Sequence, residues 1–327
     1  MPTQKPGSEF DIIARHFKPL ANGHAGALGL NDDAAVLDVP DGQQLVVTTD
    51  ALVEGVHFLS SLSPQDIAHK VVGVNLSDLA AMGATPHAVF LAAQFPATVT
   101  EDWIASFAHG LGEALTESGA ALLGGDTVST PGPMAFTLTA HGFASKSQVL
   151  TRAGAQVGDR VFVSGTIGDG ALGLLVLTGK LDGDDFLGCR YARPEPRWRL
   201  GQLLGQSGLV SACADVSDGL VADAGHIAEA SQCDVELDAT LVPLSAAARR
   251  QLKAHPDLLG TVLTGGDDYE LVFTADAHHA VAIQDIADQA GVTVTAIGEV
   301  VEGTGRVRVQ GPGGQVMDLG AGGYRHL

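Results

Sequence analysis

Val74-Asn75-Leu76-Ser77-Asp78-Leu79-Ala80-Ala81-Met82-Gly83-Ala84 closes a segment that Ser63-Pro64 opens. Ser is a good N-cap, Pro suits the first helical position, and Gly83 stops the run, so 64–82 reads as a helix. It is apolar, yet it carries Asn75 and Asp78. Upstream, Leu45-Val46-Val47-Thr48-Thr49 reads as a strand ending at Asp50, and farther back Ser8 caps a helix over Glu9–Phe17. Downstream come a strand over 88–95, a helix over 100–118 with Gly119 at its end, and an apolar strand over 120–123. That strand runs into Gly124-Gly125-Asp126-Thr127, and 133–143 reads as another strand.

Residues 145–159 are polar and turn-rich, which puts a domain boundary near 148. The second half restarts with a strand over 160–164, a glycine-rich turn and a helix over 171–178. Helices follow over 195–206, 220–230, 245–253 and 278–290, with strands over 235–237, 269–274, 292–297 and 305–309. Strands and helices mix in both halves, so the fold class is α/β (α+β) in two domains, 1–147 and 148–327.

The 327 residues carry a formal net charge of -20, with no Lys/Arg run longer than Arg249-Arg250. Such a chain repels nucleic acid and anionic membranes. If it handles phosphates, divalent cations must stand between like charges, which makes Mg²⁺ the first cofactor to test. Cys189, Cys213 and Cys233 form no C-x-x-C pair, which argues against disulfides and zinc and fits a reducing cytoplasm. MPTQKPGSEF has no apolar signal segment, and 76–95, the most apolar stretch, is broken by Asp78, Pro86 and His87, so neither secretion nor membrane spanning is expected.

One theme recurs: acids at strand ends or in Gly-rich turns, where rigid elements can aim carboxylates. The places are Asn31-Asp32-Asp33, Thr48-Thr49-Asp50, Asn75 to Asp78, Gly124 to Thr127 and Asp215-Val216-Ser217-Asp218-Gly219. All offer hard oxygen ligands, which suit Mg²⁺. Asp also favours turns and caps on its own account, but five such sites together would repel one another without a cation. Gly168-Asp169-Gly170-Ala171-Leu172-Gly173 matches G-x-G-x-x-G, but the charged, Pro-containing 182–199 does not supply the second strand of a dinucleotide-binding unit. The turn is then phosphate-cradling or structural. No P-loop is present, since Leu181 follows Gly179-Lys180 where Ser or Thr is needed. Arg152 is a candidate phosphate partner or a solvated arginine, and Gly265-Gly266-Asp267-Asp268-Tyr269-Glu270-Leu271 places three acids and a Tyr before a strand.

In order and spacing these segments, with Asp33-Ala34-Ala35, Gly55-Val56-His57-Phe58 and the 74–84 helix, resemble the thiamine-monophosphate kinases of the aminoimidazole-ribonucleotide synthetase superfamily over nearly the whole chain. The resemblance implies a two-domain fold: an N-terminal ATP/Mg-binding domain that pairs with a second copy into a dimeric barrel-like core, and a C-terminal α/β domain closing the active-site cleft. It implies several Mg²⁺ ions held by Asp33, Thr48, Thr49, Asp50, Asp78, Asp126, Asp215 and Asp218. ATP contacts fall to Gly125, Asp126, Arg152 and Ser217, and thiamine monophosphate contacts to His57, Asp267 and Tyr324. Asn31 and Asp267 depart from the Gly and Glu that many relatives have there.

The implied reaction is ATP-dependent phosphorylation of thiamine monophosphate to thiamine diphosphate, the last step of making that cofactor, in a cytoplasmic homodimer. A phosphate monoester, with its second pKa near ~6, is already largely ionised at neutral pH. No general base or nucleophile is therefore assigned, and catalysis reduces to positioning and charge cancellation. Selenophosphate synthetase and the hydrogenase-maturation dehydratase need a terminal thiol or selenol that this chain lacks. Aminoimidazole-ribonucleotide synthetase activity and a catalytically silent nucleotide binder are the remaining alternatives.

Overall fold

The computed structural model of the chain describes residues 8–319. They form two units, one of residues up to Leu79 together with Thr85–Ser145, the other of Ala80–Ala84 together with residues from Lys146 on.

In the first unit Ser8 and Asp11 cap helix α1 (Glu9–Ile12) reciprocally: the Asp11 N–H donates to Ser8 Oγ and the Ser8 N–H to Asp11 Oδ2, both at 3.3 Å. The helix expected over 9–17 lasts one turn. It passes into a π-turn at Ile13–Phe17 and a 3₁₀ turn at Lys18–Ala21, because Pro19 has no N–H to continue the ladder. Then come β1 (Gln43–Val53), α2 (Pro64–Ala81), β2 (Thr85–Pro96), α3 (Glu101–Ser118), β3 (Ala121–Thr130) and β4 (Ala135–Ser145).

The strand order is β1-β4-β2-β3; β4 is antiparallel to β1 and β2, while β2 and β3 are parallel across α3. One face is buried through alternate positions of β4, including Phe136 and Leu138. Phe136 stacks on Phe107 of α3 at 4.5 Å, and Trp103 completes the aromatic layer. β1 and β3 both outrun expectation: Asp50 and Asp126 lie inside strands that continue to Val53 and Thr130. Both are edge strands paired on one side only, where polar residues and glycine are tolerated.

The second unit holds β5 (Asp159–Ser164), α4 (Asp169–Leu177), α5 (Asp185–Ala192), α6 (Trp198–Ser207), β6 (Val210–Val216), α7 (Leu220–Ser231), β7 (Asp234–Asp238), α8 (Ala246–Ala254), α9 (Leu259–Thr264), β8 (Glu270–Asp276), α10 (Ala280–Ala290), β9 (Val294–Val301) and β10 (Val307–Gln310). The sheet order is β10-β7-β9-β5-β8-β6. Val161, Val163, Val272 and Ile297 pack with Leu172 of α4, Ile227 of α7 and Val262 of α9. Phe162, Leu271 and Phe273 pack with Leu200 and Leu204 of α6 and Ile283 of α10. A sheet covered on both sides explains why β6 escaped the sequence reading, since Ala212, Cys213, Ala214, Asp215 and Val216 are all buried and show no alternation. The helices α5 and α9 were also missed. No helix among the described residues is long and apolar enough to cross a membrane.

Candidate active site

Asp33, Gly125 and Asp126 line one cavity of about 480 Å³ in the first unit. Asp32 and Thr127 join them, and Phe17, Leu30, Phe90 and Leu122 make an apolar wall. Gly125 is required by close approach: a Cβ there would lie 1.9 Å from the Leu91 carbonyl oxygen. With no side chain, the β3 backbone lies flat on β2 and turns Asp126 out of the sheet, where it is exposed. Asn31 accepts a hydrogen bond from Lys18 Nζ at 3.0 Å, which anchors the start of the Asp32-Asp33 loop.

A second set forms where α2 crosses β1. Thr48 and Asp50 are alternate residues of β1; Thr48 Oγ1 donates to Asp78 Oδ2 at 2.5 Å. The Asp50 N–H donates to Asn75 Oδ1 at 3.1 Å, and Asn75 Nδ2 donates to the Val71 carbonyl at 3.0 Å. Asn75 is thus the clasp between strand and helix. Burial, and then the charge of Asp78, push the Asp50 carboxyl up to about 6. Thr49 points the other way, bonding the Leu138 carbonyl and the Thr139 hydroxyl, so its side chain does not join Thr48 and Asp50. Just past β1, His57 Nδ1 accepts the Val53 N–H at 3.0 Å, which leaves Nε2 to carry the ring proton of a neutral imidazole.

These two sets do not meet within one chain. β1 and β3 are the opposite edges of the sheet, with β4 and β2 between them. At strand spacing that is roughly 14 Å.

In the second unit Asp215 lies buried one residue before the end of β6, followed by Val216, Ser217, Asp218 and the start of α7. The turn is fastened to the 265–269 loop: the Asp267 N–H donates to the Ser217 carbonyl at 3.0 Å and the Tyr269 N–H to the Val216 carbonyl at 2.8 Å. Asp267 (φ 72°) and Tyr269 (φ 53°) both occupy the left-handed region that L-residues rarely adopt, so the backbone beside the candidate substrate contact is strained. Asp268, between them, accepts the N–H groups of Gly168 (2.7 Å) and Gly170 (2.9 Å). Burial pushes its carboxyl up to about 8. The G-x-G-x-x-G turn is therefore filled by the chain's own carboxylate, and α5 rather than a strand follows α4.

Behind this loop sits Glu270, fully buried, with the Arg197 guanidinium fork at 2.6 and 2.5 Å, Arg190 at 3.1 Å and Ser164 Oγ at 2.6 Å. Arg190 also reaches the Asp268 carbonyl at 3.3 Å. Sequence reasoning passed over Arg190 because it lies on α5. Arg152 is exposed and its side chain makes no ion pair among the described residues. Its loop is held by Ser231 Oγ, which accepts the Gly154 and Ala155 N–H groups at 3.1 Å and donates to the Arg152 carbonyl at 3.2 Å. Ser231 was likewise unforeseen. At the start of α7, Asp223 accepts the Asp218 and Gly219 N–H groups at 3.0 and 3.1 Å, and burial, then Asp215 and Asp218, push its carboxyl up to about 8. Tyr324 lies outside the described residues.

Comparison with known proteins gives this arrangement a family. Residues 31–144 match the AIR synthase related protein N-terminal domain, and residues 156–310 match the AIR synthase related protein C-terminal domain. A thiamine-monophosphate kinase of Caulobacter vibrioides is 45% identical over 308 residues, 93% of this chain and 87% of that protein. The crystal structure of thiamine-monophosphate kinase from Stenotrophomonas maltophilia superposes with a TM-score of 0.84 at 40% identity, covering 95% of this chain and 98% of that one. AaThiL complexed with AMPPCP and TMP superposes with a TM-score of 0.77 at 28% identity, covering 93% and 98%. With identity sustained over nearly its full length and both domain models matched in order, the chain belongs to the thiamine-monophosphate kinases within the AIR synthase related family.

Proposed function

We propose that this chain transfers the γ-phosphoryl group of ATP directly to thiamine monophosphate, giving ADP and thiamine diphosphate. The observation that carries this is the 480 Å³ cavity in which an apolar wall stands beside Asp33 and Asp126. Phe17, Leu30, Phe90 and Leu122 suit the flat face of a purine, and the carboxylates suit the metal ions that accompany its phosphates. A relative with AMPPCP and TMP bound supports the pairing of substrates. The acceptor phosphate is already largely ionised near neutrality, so no general base is required.

The donor set fits Mg²⁺. Asp33, Thr48, Asp50, Asp78, Asp126, Asp215 and Asp218 offer oxygen ligands, and Asp50 lies near enough to Asp78 for that charge, after burial, to raise its carboxyl. Thr49 could contribute only main-chain atoms. Bound there, Mg²⁺ supplies charge neutralisation that lets two anions approach and offsets charge on the group in flight. Gly125 lets the phosphates come close to the β3 backbone. Arg152 offers a guanidinium fork to a phosphate, Ser217 a hydroxyl, and His57 Nε2 and Asp267 polar contacts to thiamine monophosphate.

A homodimer is part of this reading. The edge position of β1 and β3 means that one copy cannot place Asp50 and Asp126 on the same ion, whereas two copies meeting edge to edge can. Leu45 and Val47, exposed on β1, give such an edge an apolar surface. The test is incubation with thiamine monophosphate, ATP and Mg²⁺, following both products chromatographically with EDTA as control. Equal, metal-dependent amounts of ADP and thiamine diphosphate are expected; ADP alone, or no turnover, overturns the assignment. Mixing inactive Asp50→Asn and Asp126→Asn chains should restore partial activity, and failure to do so after verified subunit exchange removes the shared site.

A further inference from the structure

Asp32, Asp33 and Asp126 line the 480 Å³ cavity, and among the described residues no Lys or Arg lines it with them. Lys18 stands beside these acids. It follows Phe17, a lining residue, and its Nζ donates to Oδ1 of Asn31, which lies in the chain between the lining residues Leu30 and Asp32. Among the described residues that is its one hydrogen bond, and it makes no ion pair there. An ammonium has three donors, so two are left to spare.

The backbone on both sides holds this cation in place. Phe17 is 5% exposed, and the ring of Pro19 fixes its own φ where the 3₁₀ turn begins. Opposite, Leu28, Gly29 and Leu30 have φ of 50°, 65° and 52°, three successive residues in the left-handed region that L-residues seldom enter in series. A Cβ on Gly29 would lie 3.1 Å from Asn31 Nδ2 and 3.8 Å from Lys18 Nζ, so the bare glycine keeps clear the space in which the two side chains meet. Backbone strain of this kind clusters at ligand clamps.

We infer that Lys18 is a further nucleotide-binding residue, held by Asn31 so that its ammonium meets the polyphosphate of the nucleotide beside Asp32 and Asp33. The inference rests on the reading of the cavity as a nucleotide site and supplies a positive charge that its lining lacks. Lys serves phosphate as a point charge. Asn31, being neutral, orients the ammonium without neutralising it, as a carboxylate in its place would.

Isothermal titration calorimetry of the full chain with Mg·ADP, which binds without any transfer step, reads the contact directly. Lys18→Gln keeps the stem and removes the charge. It should bind Mg·ADP about tenfold more weakly and raise KM for ATP by a similar factor while leaving KM for thiamine monophosphate unchanged. Lys18→Arg keeps the charge and should recover most of the affinity. Asn31→Ala should weaken Mg·ADP binding about threefold on its own and add nothing to Lys18→Gln. Melting temperatures verify that each variant folds. Three results would overturn the inference while leaving the nucleotide site standing: folded Lys18→Gln within about twofold of wild type, equal losses in Lys18→Gln and Lys18→Arg, or an Asn31→Ala loss that persists on top of Lys18→Gln. A wild-type chain that takes no Mg·ADP overturns both.

Discussion

Glu270→Gln should unfasten the second unit from within. The wild-type side chain is fully buried and faces two guanidinium groups, with Arg197 bonded through both arms of its fork and Arg190 from the other side. The glutamine keeps the shape and loses the charge. Among the described residues, Arg190 and Arg197, with side chains 6% and 15% exposed, would then share the ion pair to Glu195, which is 62% exposed and screened by water. Breaking a buried pair from one side costs about 3–5 kcal/mol because the remaining charge is stranded. At about 2–4 °C per kcal/mol for a unit of this size, the melting temperature should fall by roughly 6–20 °C. Differential scanning calorimetry on the full chain checks this, with Arg160→Gln as a control that removes an exposed pair to Glu299 and should cost no more than about 1 kcal/mol. A Glu270→Gln melt within about 2 °C of wild type would refute the claim that this network supports the loop bearing Asp267.

Asp126→Asn should abolish transfer while leaving the melting temperature within a few degrees, since the side chain is exposed on β3; full activity would remove it from the site. Gly125→Ala should raise the KM for ATP at least about tenfold or prevent folding, as the methyl would meet the Leu91 carbonyl at 1.9 Å; wild-type kinetics would contradict the approach of β3 to β2. Ser231→Ala removes three hydrogen bonds to the Arg152 loop and should cost about 1–3 kcal/mol of stability and raise KM for ATP more than it lowers kcat, measured in steady-state assays. In EDTA, stability should fall as pH rises from about 4 to 8. Asp50 and Asp223 hold protons in the fold up to about 6 and about 8, while the unfolded chain releases them near 3.8, so folding loses favour as they ionise. Thermal melts at pH 5 and 8 test this, Mg²⁺ should restore stability at pH 8, and an EDTA melt that rises with pH sinks the argument.

The sequence offered candidate site residues more readily than the architecture that holds them. Asp33, Asp50, Asp78, Asp126, Asp215 and Asp218 stand out because acids sit beside apolar runs at intervals that composition alone does not produce. Ser63 and Thr100 mark helix starts correctly, each accepting a backbone N–H three residues on. Less legible was what depends on distant pairing. Nothing in Thr49 tells which side of β1 it faces until the Thr49–Thr139 register is known. Three bonds converge on Ser231 from a loop about 80 residues away, and no local pattern announces them. Helix α5 was hidden because Gly188, Cys189 and Arg190 look like loop chemistry, although Asp184 caps it through the Phe186 and Leu187 N–H groups. Only burial of Arg190 against Glu270 explains a charged residue on its inner face.

Asp268 gives the Gly168–Gly170 turn an unusual independence. Where a glycine turn offers its N–H groups to a ligand's phosphate, the turn is incomplete until the ligand comes, and ordering it draws on binding free energy. Here the Asp268 carboxyl is tethered to the neighbouring loop, so the two N–H groups are satisfied in advance. The turn cannot select a nucleotide, and in exchange it becomes a fixed footing. Asp267 and Tyr269, on either side of Asp268, are held in conformations they would abandon if free. Thiamine monophosphate would then meet a contact already set at its angle, and the entropy of setting it would have been spent when the chain folded.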